Sequence, residues 1–201
     1  ERASEKGTAM HLALEQRCNS VPEAEVVPNL TFDGAVTLPD VQYHHFLETV
    51  VKPEGLIPYR TEWSVYDTKA VLSGQIDSLW VDREGKYHMI DWKRCKNVDL
   101  GPDEKHWGRY GTGPCASVPD TDYGHYGCQQ ALYAYILENN YDMKIESMRL
   151  VQFHPSALVD ECRVIEVDDT FRQVAKAIVQ QRINEQECNC VATSPKRTKL
   201  F

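Results

Sequence analysis

Apolar and polar positions alternate between residues 56 and 96, which is typical of strands whose two faces meet different surroundings. The alternation predicts three strands, at residues 56–67, 71–81 and 87–95. A short turn that ends in Gly85 separates the second strand from the third. Neighbouring strands joined by such short connections predict an antiparallel meander.

Elsewhere the apolar positions recur every three or four residues, which predicts helices. These helices cover residues 2–18, 40 to about 53, 123–139 and 168 to about 185, and two further strands are predicted at 145–154 and 162–167. The order of elements predicts an α/β fold, with a mixed central sheet of about five strands flanked by helices.

Glycine and proline concentrate in residues 97–121, which predicts a long loop of the kind that is often functional. No internal repeat or domain boundary is visible. We therefore expect a single domain over residues 1–190 and a basic, disordered tail over residues 191–201. That tail is either a solvated end or a nuclear localisation signal.

Composition narrows the class of protein. The chain is 42% hydrophobic and 26% charged, as in soluble globular proteins, and no apolar run is long enough for a membrane helix. No signal peptide opens it, and a start directly on a helical pattern suits a segment of a larger protein with flanking domains. Its seven cysteines are scattered without a CxxC pair, which favours a reducing, intracellular compartment over a disulfide framework.

The net charge of −8 argues by itself against nucleic-acid binding. A metal site concentrates carboxylates, however, and binding a strand needs only a local basic track. Candidates for that track are Lys93, Arg94, Lys96, Lys105 and Arg109. Trp107 and Tyr110 lie among them, where aromatic rings either stack on single-stranded bases or anchor the loop.

Three charged residues on the second and third strands are candidates for a metal-binding or catalytic site. Asp91 and Lys93 are two residues apart, so their side chains project from one face of the strand. Asp77 lies in an otherwise apolar segment, where an unpaired carboxylate is costly. Two inward carboxylates on neighbouring strands predict a divalent cation.

With these residues the chain resembles the PD-(D/E)XK nucleases, and within them the RecB-like exonuclease branch. That branch includes RecB-type nuclease domains, the CRISPR adaptation nucleases and the mitochondrial genome-maintenance exonuclease. The resemblance covers roughly residues 5–155. It is carried, in chain order, by Gly7, Thr8, His11, Glu62, Asp77, Asp91, Trp92, Lys93, Gln129 and Tyr133. The resemblance implies a restriction-endonuclease-like core and a metal-dependent DNA nuclease that acts on single strands or ends, with an exonuclease favoured.

Roles follow from this resemblance and from the chemistry of the residues. Asp77 and Asp91 would hold Mg²⁺ or Mn²⁺, with the Trp92 carbonyl oxygen as a further ligand. A His11 ligand would favour Mn²⁺. Glu62 would hold a second metal or orient the attacking water, and Lys93, kept cationic by the carboxylates, would stabilise negative charge. The remaining predicted residues are Gln129, Tyr133, Tyr126, Arg94 and Lys96, which would bind the strand, and Glu15 and Thr8, which would support the ligands.

Each role has a plainer alternative. Asp91 and Lys93 alone could form a surface ion pair, His11 could be an ordinary helix residue, and Glu62 could point outward. Gln129 and Tyr133 share a helix face at i, i+4, which could simply be a polar face. Iron–sulfur members of the branch carry four cysteines whose spacing this chain does not reproduce, so we expect no such cluster.

At the level of the whole protein, two alternatives to a nuclease remain. One is a catalytically silent nucleic-acid-binding module on the same fold, and the other is a hydrolase of small phosphoesters.

Overall fold

The computed structural model describes residues 3–19, 40–98, 108–156 and 158–193. Its helices are α1 (Ala3–Cys18), α2 (Asp40–Phe46), α3 (Lys52–Glu54), α4 (Asp122–Asn140) and α5 (Thr170–Thr193). Its strands are β1 (Ile57–Asp67), β2 (Leu72–Val81), β3 (Tyr87–Arg94), β4 (Ile145–Phe153) and β5 (Arg163–Glu166). A π-helical turn, Leu47–Val51, joins α2 to α3.

The five strands form one sheet in the order β1-β2-β3-β4-β5. The pairs β1–β2 and β2–β3 are antiparallel, which confirms the predicted meander. Strands β3 and β4 are parallel, because α4 carries the chain back across the sheet between them. Strand β5 closes the sheet in antiparallel pairing with β4. The predicted α/β fold with a mixed five-stranded sheet is therefore confirmed.

Helices cover both faces of the sheet, so two hydrophobic cores form. The core under α4 and α5 includes Met89 and Leu150, and the core under α1 and α2 includes Ile90 and Val151. Successive residues of the central strands thus point into opposite cores, as the alternation of side chains along a strand requires. The same alternation places Asp91 and Lys93 on one face of β3.

One predicted helix differs in extent from the structure. Helix α5 continues to Thr193 although the apolar stripe fades near residue 185. The added turns contain no proline or glycine that would end the helix earlier. Residues 194–201, most of the predicted tail, lie outside the described residues. No helix in the described ranges has the length and apolar character needed to cross a membrane.

The predicted loop at residues 97–121 is partly ordered. Lys105 and Trp107 lie outside the described residues. Residues 108–120 form a compact hairpin with a bridge between Tyr110 and Pro119 and a 3-10 turn at Gly113–Cys115. This hairpin packs beside α4.

Candidate active site

Strands β2 and β3 separate where the predicted carboxylates lie. Their ladder extends only from the pair Val81 and Tyr87 to the pair Ser78 and Ile90. Residues 77 and 91 come immediately after it, so the backbone groups of Trp92 that face β2 need other partners. Asp77 supplies one of them, because its Oδ2 accepts a hydrogen bond from the Trp92 amide at 2.8 Å.

Helix α1 supplies the second partner and, with it, an imidazole. Met10 and Leu14 are buried and fix the helix against the sheet. The Nε2–H of His11 donates to the Trp92 carbonyl oxygen at 3.0 Å, since a carbonyl can only accept. The other ring nitrogen, Nδ1, therefore faces the carboxylates of Asp77 and Glu62, with Oδ2 and Oε1 at 3.6 Å and 3.7 Å.

Glu62 reaches this point from β1 through an unusual backbone conformation. Its φ of 46° lies in the left-handed region, which a glutamate seldom adopts. Gln75 on β2 holds the side chain by donating from Nε2 to Oε2 at 2.8 Å. Residues held in such strained conformations cluster at functional sites, so the outlier itself favours a role for Glu62.

His11, Glu62 and Asp77 thus form a cluster in which one ligand atom of each lies within 4.8 Å of the other two. The donor set is one imidazole nitrogen and two carboxylate oxygens, which suits a divalent cation such as Mn²⁺. The His11 bond to a backbone carbonyl is the arrangement that orients most metal-binding histidines. The donor set and the hydrogen bond of His11 both suit a bound metal ion.

The charges of the cluster are poorly balanced by protein groups alone. Burial, and after it the charge of Asp91, raises the pKa of Asp77 to about 7. Burial would lower the pKa of His11, but the Glu62 hydrogen bond and the charge of Asp77 outweigh it and raise the pKa above its usual value. A cation placed among these groups would relieve the repulsion that opposes their ionised forms.

Asp91 and Lys93 form an ion pair next to this cluster, with Lys93 Nζ 2.5 Å from Asp91 Oδ2. That oxygen has no partner of good hydrogen-bond geometry in the described residues, so the contact is chiefly electrostatic. Burial would lower the pKa of Lys93, but Asp91 and Asp77 outweigh it and raise the pKa. Lys93 is therefore cationic, and its Nζ lies 4.1 Å from the centre of the Tyr126 ring on α4.

Gln129 and Tyr133 lie farther along the same helix. Gln129 donates from Nε2 to the Tyr133 hydroxyl at 3.0 Å, so the two act as a unit. The Tyr133 ring packs directly on Gly74 of β2, where an added Cβ would be only 2.0 Å from the ring. Only glycine at that position lets the helix and strand approach so closely.

The other predicted residues lie nearby or apart. Arg94 is half-buried at the end of β3, burial lowers its pKa, and Lys96 just beyond it is exposed. Thr8 is exposed on α1 and Glu15 is half-buried one turn after His11. Neither Thr8 nor Glu15 belongs to the three-residue cluster found in the described residues.

One residue at the site was missed from the sequence. Gln75 is two residues before Asp77, a spacing that places it on the same strand face. That spacing was a usable signal, but nothing in the sequence showed that Glu62 would lie across from it.

Comparison with known proteins supports the fold alone. No family model matches the chain, and no curated protein matches its sequence. Its fold is similar to the crystal structure of a candidate exonuclease from Eubacterium rectale, with a TM-score of 0.51, 12% identity, and coverage of 94% of this chain and 70% of that one. The structure of the protein SSO0001 matches with 16% identity over 79% of this chain and 68% of that one, but its TM-score of 0.31 carries no argument. The chain thus has a nuclease-like fold.

Proposed function

We propose that this protein is a divalent-metal-dependent deoxyribonuclease of the RecB-like branch. It would hydrolyse phosphodiester bonds in single-stranded DNA or at DNA ends, with exonuclease action favoured over endonuclease action. The observation that carries the proposal is the cluster of His11, Glu62 and Asp77 within 4.8 Å, beside the ion pair of Asp91 and Lys93. The nuclease-like fold of the Eubacterium rectale protein supports it.

In this proposal His11, Glu62 and Asp77 would hold Mg²⁺ or Mn²⁺, with Asp91 as a further ligand. The ion supplies Lewis-acid activation and charge compensation for hydrolysis. The two ring nitrogens of His11 point away from each other, so an ion held by Nδ1 would lie out of reach of the Trp92 carbonyl that accepts from Nε2; in this arrangement that carbonyl orients the imidazole.

Lys93 provides a fixed positive charge for the phosphate that is being cleaved. Its ammonium is already oriented by Asp91 and the Tyr126 ring, so little reorganisation accompanies the reaction. Charge that increases on the phosphate oxygens during the reaction is stabilised more than the ground state, which is the condition for catalysis.

The strand would lie along α4 and the end of β3. Tyr126, Gln129 and Tyr133 offer aromatic and amide groups, and Arg94 and Lys96 offer positive charge for the phosphates. The overall charge of −8 does not oppose this arrangement, because much of the negative charge at the site would be neutralised by the metal. Thr8 and Glu15 would support α1 from the outer side of His11.

The test is cleavage of a 5′-labelled single strand in Mn²⁺, in Mg²⁺ and in EDTA, with Asp77→Asn as the matched inactive variant. The proposal predicts metal-dependent cleavage by the wild type and none by the variant. DNA binding without cleavage would instead identify a silent binding module. Hydrolysis of a small aryl phosphoester without cleavage of DNA would identify a small-molecule hydrolase.

A further inference from the structure

A pocket of about 430 Å³ lies between α4, the start of β2 and the hairpin of residues 108–120. Its size falls in the range of small-ligand pockets, about 300–1,000 Å³. Cys128 and Leu132 of α4 line it together with Cys115 and Val118 of the hairpin, and Gln129 and Tyr133 contribute polar groups. The hairpin is no part of the motif that the sequence singled out.

The hairpin wall is formed in advance of any ligand. The Gly111 amide donates to the Val118 carbonyl at 2.9 Å, and the Asp120 amide donates to the Arg109 carbonyl at 3.0 Å. The Cys115 thiol of the hairpin lies next to the Cys128 thiol of α4, and burial together with this neighbour raises the pKa of Cys128. A ligand would therefore bind without first ordering this segment.

The pocket is a short distance from the candidate metal cluster. Ser73, which lines its β2 side, is four residues before Asp77, or about 13 Å along a strand. On α4, Tyr133 is seven residues after Tyr126, or about 10 Å along a helix. Nucleotides in a stacked strand are about 3.4 Å apart and farther apart when extended, so this distance spans about two to four nucleotides.

The chemistry of the pocket suits a base better than a phosphate. Its surface is mainly apolar, and its one carboxylate, Asp120, is 2.9 Å from His125 and 3.4 Å from Arg109. A phosphate would need several donors or cations, whereas the flat faces of a base pack on apolar and aromatic groups. The bond between Gln129 and Tyr133 leaves the Gln129 Oε1 acceptor and the Tyr133 O–H donor for the edge of a base.

We propose that this pocket holds one unpaired nucleobase of the bound strand, about two to four nucleotides from the phosphate that is cleaved. The inference rests on the proposed nuclease function, which supplies the strand. It adds a contact through which the protein distinguishes single strands from paired ones, because a paired base must first lose its pairing and stacking, at a cost in free energy, before it can enter.

Two variants obstruct the pocket in independent ways. Cys128→Phe fills it from α4, and Ser73→Trp covers it from an exposed position of β2, where a larger side chain does not disturb the core. Cys188→Phe is the matched control, since Cys188 is an exposed residue of α5 outside the pocket. Circular dichroism and thermal melting establish that each variant is folded.

The experiment places a single abasic residue at successive positions of a labelled strand. Binding is measured by fluorescence anisotropy in Ca²⁺, and cleavage in Mn²⁺. For the wild type and Cys188→Phe, we expect binding to weaken about fivefold or more when the abasic residue falls at one particular position. For Cys128→Phe and Ser73→Trp, intact DNA should bind about as weakly as that abasic strand binds to the wild type, with no dependence on position.

The outcomes separate this inference from the proposed function. Cleavage of DNA together with binding that does not depend on the position of the abasic residue would refute the base-binding pocket and keep the proposed nuclease function. Binding that depends on the position of the abasic residue, without cleavage of DNA, would support the base-binding pocket and refute the nuclease function. An unchanged position dependence in the two obstructing variants would also overturn the inference.

Discussion

Replacement of Lys93 by alanine removes the ammonium that pairs with the Asp91 carboxylate at 2.5 Å. The Asp91 side chain is 5% exposed and that of Lys93 is 17% exposed. Once the ammonium is gone, water would therefore solvate the Asp91 carboxylate only poorly. Loss of one partner of a buried ion pair typically costs about 3–5 kcal/mol of folding stability, and the partial exposure of Lys93 places this pair at or below the lower limit. We expect the variant to fold with reduced stability.

The catalytic loss should be larger than this structural effect suggests. A preorganised cationic donor at the reacting phosphate typically contributes about 10²–10³ in rate, or about 2.7–4 kcal/mol. Lys93→Ala should therefore cleave at least about a hundredfold more slowly while still binding DNA and Mn²⁺. Lys93→Arg should restore only part of the rate, because its planar guanidinium does not reproduce the position of a compact ammonium.

The assay is single-turnover cleavage of a labelled single strand in saturating Mn²⁺, alongside binding by anisotropy in Ca²⁺. Lys86→Ala is the matched control, because Lys86 precedes the same strand and pairs with Glu84 and Glu146 at the far end from the site. The control should cleave like the wild type. Equal rates for Lys93→Ala and the wild type would remove Lys93 from the mechanism.

Three further predictions concern single residues. Asp77→Asn keeps an acceptor for the Trp92 amide but removes a buried charge. Calorimetry should therefore show no Mn²⁺ binding, while the melting temperature stays the same or rises. Wild-type affinity for Mn²⁺ in this variant would contradict the assignment of Asp77 as a metal ligand. His11→Ala should require more Mn²⁺ for half-maximal activity, and unchanged activity at limiting Mn²⁺ would make His11 an ordinary helix residue. Burial would raise the pKa of Asp67, but hydrogen bonds from the Ala70 amide and the Asn140 side chain outweigh burial and lower the pKa. The ionised Asp67 therefore stabilises the fold above the unfolded pKa of about 3.9, and this stabilisation disappears as the pH falls through the lowered value. Asp67→Asn should therefore lose stability in denaturant titrations at pH 7 and converge on the wild type in acid, and a constant difference across pH would refute this.

The sequence predicted the sheet well because successive side chains along a strand point to opposite faces, with a period of two. Asp91 and Lys93 were assigned to one face by that period alone, and their ion pair confirms it. The extent of α5 was predicted too short, because the apolar stripe fades near residue 185 although nothing in residues 186–193 breaks a helix.

The arrangement of the site depended on features that periodicity does not encode. The left-handed backbone of Glu62 and the separation of β2 from β3 result from tertiary packing. The strand pattern predicts Asp77 and Asp91 as a pair of ligands, to which the resemblance adds His11 and Glu62. The structure brings Asp77 together with His11 and Glu62 and pairs Asp91 with Lys93. Whether Asp91 also contacts the metal stays a prediction.

The central claim is that His11, Glu62 and Asp77 bind a divalent cation, and anomalous diffraction from a crystal soaked in Mn²⁺ tests it most directly. We predict a manganese peak between His11 Nδ1 and the carboxylate oxygens of Glu62 and Asp77, with Asp91 close by. A map with no peak at this position, in a crystal whose soak contains millimolar Mn²⁺, would contradict it.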